Sequence, residues 1–127
     1  MNQPSENNLN SWSVIIIDMF HYMDPEEGEY EVTGFTCPED AIEYARRRVW
    51  SSVEECRPSA SSAADLKSRW FMFGEDCIVP RSGYNTSTEL DYFVAHPATR
   101  EQIDWVSLEP NRETRELLLR ARQESGT

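Results

Sequence analysis

Residues 13–32 read SVIIIDMFHYMDPEEGEYEV. Val14, Ile15, Ile16 and Ile17 run straight into a cluster of Asp, His and Glu, and beyond Gly28 the residues Tyr30 and Val32 alternate with Glu29, Glu31 and Thr33. An unbroken β-branched run predicts a strand over 12–20, with both faces covered. Alternation with a period of two predicts a second strand over 29–35, apolar on one side and acidic on the other. Asp24, Pro25 and Gly28 are turn formers, so the two strands are expected to join as a hairpin. A hairpin makes the sheet antiparallel, and this decides the class.

Downstream, Thr36-Cys-Pro-Glu39 has the form of a capping box with Pro38 in the first helical turn. It opens a helix whose apolar positions Ile42, Ala45, Val49, Val53 and Cys56 recur at steps of three and four, and which stops before Pro58. A Ser-rich joint (Ser59, Ser61, Ser62) leads to a shorter helix with Ala63, Leu66, Trp70 and Phe73 on one side, closed by Gly74. Residues 70–73 alone are equally compatible with a strand. A strand over 77–79, stopped by Pro80, and a longer one over 89–96 predict a second hairpin across the loop 81–88. Thr99 to Gln102 forms another capping box ahead of Ile103 and Val106. Asn111 is placed to cap a last helix carrying Thr114, Leu117, Leu118 and Ala121 on one face.

The expected order is therefore ββααββαα, in which no strand reaches the next through a lone crossover helix. That is an α+β fold: a four-stranded, mainly antiparallel sheet of two hairpins with helices packed on one face. Trp12, Trp50, Trp70 and Trp105 fall in four different elements and are expected to help join them in one core. A chain of 127 residues with 39% apolar content suits a single domain. We expect that domain to span 11–122, between flexible tails at 1–10 and 123–127.

No stretch approaches the roughly 20 apolar residues of a membrane span, and the first ten residues lack the charged and apolar regions of an export signal. Cys37, Cys56 and Cys77 are odd in number and include no C-x-x-C, which argues against a disulfide framework or a zinc site and fits a cytoplasmic protein. No cofactor is expected. Cys37 opens a helix, where the partial positive charge lowers a thiol pKa, but no neighbouring base supports a reactive role.

The formal net charge is −11, and Lys67 is the only lysine. Such a field repels nucleic acid and anionic membranes and favours a protein partner with a basic surface. The expected function is that of a non-catalytic acidic interaction domain, its contact residues being Asp24, Glu26, Glu27, Glu29 and Glu31. These acids lack the spaced ligands of a calcium loop. The run Arg46-Arg-Arg48 lies within the first helix near Glu43, Glu54 and Glu55 and reads as a charged outer face.

The alternative is a small enzyme or ligand-binding domain with a cleft lined by Asp18, His21 and His96. Asp18 and His21, three apart, converge only if the strand has already ended between them. Residues 14–19 (VIIIDM) resemble the first strand of isochorismatase-like hydrolases, whose strand-end Asp belongs to an Asp-Lys-Cys catalytic set. Here Lys67 lies in a helical stretch and no later strand carries the family's cysteine context, so no hydrolase site is assigned. A homo-oligomer held by 70–73 or by Leu117, Leu118 and Leu119 is a further expectation.

Overall fold

A computed structural model of the chain describes residues 11–125 other than Tyr22 and Pro25. Strands β1 (Trp12–Asp18) and β2 (Glu29–Phe35) form the expected hairpin, with Val14 opposite Val32 and Ile16 opposite Tyr30. A bulge between Trp12 and Ser13 brings Trp12 opposite Phe35, and Gly34 meets it with φ +108°, a backbone that side chains resist.

Helix α1 (Pro38–Cys56) starts one residue later than the capping box implied. Cys37 holds the N-cap position and makes no side-chain cap bond, so the Thr36 box does not form. Pro38 and the first-turn acids Glu39 and Asp40 favour the start instead. Ala41, Tyr44, Ala45, Val49 and Val53 are fully buried on the inward face.

Helix α2 (Ala63–Phe73) is capped by Ser62, whose hydroxyl accepts from Asp65 N–H at 3.1 Å. It runs through 70–73, which removes the strand alternative, and it buries Leu66 and Trp70. Gly74 follows with an extended backbone and not the left-handed one of a glycine cap.

Strand β3 (Glu75–Val79) pairs with β1, Cys77 opposite Ile16 and Glu75 opposite Asp18. The fourth strand departs from expectation. It is the two-residue β4 (Tyr84–Asn85), inside the stretch read as a loop, and 89–96 is not a strand. Asn85 ends the ladder: its side chain accepts from Ser87 N–H and its carbonyl accepts from Thr88 Oγ1. A turn over Thr86–Thr88 follows, then helix α3 (Leu90–Ala95). Leu90, Phe93 and Val94 are spaced to share one helical face, and Phe93 stacks on Trp50 with ring centroids 4.9 Å apart. A strand would have split that apolar group between two faces.

The Thr99 box does form, Thr99 N–H to Gln102 Oε1 at 2.8 Å and Gln102 N–H to Thr99 Oγ1 at 3.4 Å. It opens only a single turn, Glu101–Ile103, with another at Val106–Leu108. Helix α4 (Arg112–Ser125) begins as expected, with Asn111 Oδ1 accepting from Thr114 N–H at 2.8 Å, and continues into the stretch from 123 read as a tail. The expected tail at 1–10 and the last two residues lie outside the described residues.

The result is an α+β fold with an antiparallel sheet of order β2-β1-β3-β4. Helix α1 packs on one face, where Val14, Ile16, Cys77 and Val79 are buried. The opposite face is open, with Ile15 and Ile17 half-buried and Ile78 exposed, so β1 is covered on one side and not on two. Trp50 and Trp70 enter the core, and Trp12 and Trp105 pack against it half-buried. No helix among the described residues is long and apolar enough to cross a membrane.

Candidate functional site

The hairpin connection begins where β1 stops at Asp18. A single turn, Met19–His21, reverses the chain there. Asp18 Oδ1 accepts from Phe20 N–H at 3.0 Å, and Oδ2 lies 2.9 Å from His21 Nδ1. The strand has thus ended, and Asp18 and His21 do converge. The hydrogen bond to Asp18 raises the His21 pKa above its ordinary value, and Glu27, 3.7 Å from Nε2, adds to the effect. His96 is elsewhere, at the end of α3: its ring stacks on Tyr92 with centroids 4.0 Å apart, and its Nδ1 bonds the Tyr92 carbonyl at 2.8 Å. The structure therefore brings together Asp18 and His21 but not His96.

The five acids of the hairpin divide by role. Asp24 turns its carboxylate inward and accepts from Glu26 N–H at 2.8 Å and Glu27 N–H at 3.2 Å, closing the tip as an Asx turn does. Glu26, Glu27, Glu29 and Glu31 are exposed. Among the described residues no Arg or Lys pairs with any of the five. The cations answer acids elsewhere: Arg46 and Arg47 with Glu43, Arg57 with Glu54, Lys67 with Asp91, Arg69 with Asp65, Arg112 with Glu116 and Arg122 with Asp104.

Apolar surface adjoins this uncompensated charge. Phe20 is 63% exposed and Met23 88% exposed, both in the hairpin connection. Phe73, from the end of α2, lies with its ring 5.7 Å from that of Phe20, and Phe71 and Met72 beside it in sequence are exposed too. Monomeric proteins seldom leave large side chains together in water without a use for them.

Behind Phe20 and Phe73 opens a cleft of about 510 Å³ that also takes in Asp18, Glu55, Glu75 and Trp105. Its floor is Arg48, which the charged-face reading of Arg46-Arg-Arg48 placed outside. Arg48 is buried; its Nε donates to Glu75 Oε1 at 2.9 Å, its Nη1 to Tyr44 Oη at 2.7 Å and its Nη2 to Tyr30 Oη. The guanidinium also lies 4.1 Å from the centre of the Trp105 ring. Burial disfavours the charge, but Glu75 more than offsets this and holds Arg48 above its ordinary pKa. Burial, then the nearby Glu75, pushes Glu55 up. Arg48 lies at helical steps of three and four from Ala45, Tyr44 and Ser52, all buried, which is the signal that could have found it.

No group of three or more His, Cys, Asp or Glu among the described residues could hold a metal. Cys37 is not activated: the Asp40 N–H favours its thiolate, but partial burial and the carboxylates of Asp40 and Glu39 outweigh that and raise its pKa. Cys77 is buried, and burial raises its pKa strongly. No protein family, curated protein or solved structure matches this chain.

Proposed function

We propose that the protein is an acidic interaction domain that docks a basic partner protein, and that the β1–β2 hairpin is its contact. The observation that carries the reading is the pairing of opposites on one short connection. Exposed Phe20 and Met23 share the connection with exposed Glu26 and Glu27, and among the described residues no Arg or Lys answers those carboxylates, His21 alone approaching Glu27 at 3.7 Å. Apolar side chains supply contact area at an interface, and uncompensated charge speeds encounter and selects partners of the opposite sign. The cleft beside Phe20 supports no rival catalytic reading of equal weight: among the described residues its lining offers one cation, Arg48, which is engaged by Glu75 and two tyrosines, and neither histidine.

The test compares two variants of equal net charge. One carries Glu26→Gln, Glu27→Gln, Glu29→Gln and Glu31→Gln; the other carries Glu39→Gln, Glu101→Gln, Glu113→Gln and Glu116→Gln. Each is used to capture proteins from lysate at low and high salt. The hairpin variant is expected to lose basic proteins that the control variant and the unaltered chain retain at low salt and release at high salt. Equal behaviour of the two variants would show that total charge matters and the hairpin does not.

A further inference from the structure

Strand β2 is an outer strand of the sheet. Asp18 N–H donates to the Gly28 carbonyl at 2.9 Å, and this sets the phase of the ladder. Antiparallel pairs alternate between bonded and non-bonded, so Ile16–Tyr30 and Val14–Val32 are bonded and Ile17–Glu29 and Ile15–Glu31 are not. The backbone N–H and C=O groups of Glu29 and Glu31 therefore point away from β1, out of the sheet. Among the described residues no hydrogen bond from another element reaches them. Beyond this edge lies a groove of about 380 Å³, with Val32 and Thr33 on one side and Thr114 and Leu118 of α4 on the other. Its buried charges, Arg48 and Glu109, are already engaged through Glu75 and Tyr44.

We propose that this edge takes up an extended segment of a partner protein as an added strand, and that the segment alternates basic with apolar side chains. The inference rests on the docking function proposed above and names the form of the partner. Strand addition satisfies the open backbone groups, and pockets for alternate side chains supply the selectivity. On the face away from α1, the incoming side chains lie beside Glu29 and Glu31, which favours Lys or Arg. On the other face they enter the groove against Val32 and Leu118, which favours aliphatic residues. A second copy of β2 is a poor occupant, because pairing the two edges would gather carboxylates on one face without a counter-charge.

The experiment uses the full chain and two synthetic peptides of one composition, one alternating Lys and Val, the other with all Lys preceding all Val. Binding is followed by fluorescence anisotropy, and amide exchange is read residue by residue by NMR. The alternating peptide is expected to bind at least tenfold more tightly and to slow exchange at the Glu29 and Glu31 amides. Glu31→Pro removes an outward donor and leaves the bonded pairs with β1 in place, as edge strands tolerate; it is expected to weaken the alternating peptide at least tenfold, whereas Glu31→Gln weakens it less. Equal affinity of the two peptides, or unchanged exchange at Glu29 and Glu31 in the unaltered chain, overturns strand addition even if Glu31→Pro fails to fold. If both peptides then bind equally and lose affinity on neutralising the hairpin, the docking function stands without the strand. If the hairpin variant binds both as the unaltered chain does, the docking function falls as well.

Discussion

Ser52 sits in the middle of α1, yet its hydroxyl joins three elements. It donates to the Val49 carbonyl at 2.8 Å and accepts from the Trp70 indole N–H at 2.8 Å and the Glu75 backbone N–H at 3.2 Å. Ser52→Ala leaves one buried and one part-buried donor without this acceptor and is expected to cost about 2 kcal/mol, read as a lower midpoint in urea denaturation with an unchanged slope. An unchanged midpoint would mean that both donors find another partner. Neither contact is legible in the sequence, because the partners lie 18 and 23 residues away. Arg48 is different. Its burial is written in the helical period, since it falls on the same face as Tyr44, Ala45 and Ser52, but a run of three arginines suggests a wet surface when the period is not followed through it.

Gly74 shows how an element boundary can be placed correctly for the wrong reason. Its backbone needs no glycine; the space above it does, since a Cβ there would lie 2.3 Å from Trp70 Cδ1. Gly74→Ala is therefore expected to push the indole off Ser52 and to destabilise the protein by about 1–3 kcal/mol, measurable as a lower melting temperature with a shifted Trp fluorescence spectrum. A wild-type melting temperature would show that the α2–β3 corner yields without loss. The stretch 89–96 shows the reverse case. Tyr92, Phe93 and Val94 favour strands intrinsically, but Leu90, Phe93 and Val94 can all be buried on one face, with Phe93 stacked on Trp50, only from a helix. Local preference lost to packing on α1, a contact that no window of sequence contains.

Across the whole molecule, a net charge of −11 opposes compaction. Salt should relieve it. Between about 0.01 M and 0.15 M the screening length falls from roughly 30 Å to roughly 8 Å, so the melting temperature is expected to rise with added NaCl over that range. The surface ion pairs on the helices pull the other way, and a falling melting temperature would mean that they outweigh the repulsion. The balance of charge is uneven locally too: among the described residues no Arg or Lys pairs with the hairpin acids, while Glu43, Glu54 and Glu116 on the helices each pair with an Arg.

Apolar patterning together with turn, cap and breaker residues carried the hairpin, α1 and α4, and α2 except at 70–73, where helix and strand fitted equally. The class followed, and so did the acidic character of the tip. Strand order, the open sheet face, the short β4 and the helix at α3 required contacts between distant parts of the chain. The same holds for the site: the carboxylates of residues 24–31 are plain in the sequence, but Phe20 meets Phe73, Arg48 meets Glu75 and the β2 edge meets α4 only after folding, since such encounters depend on register and packing, which no local pattern encodes.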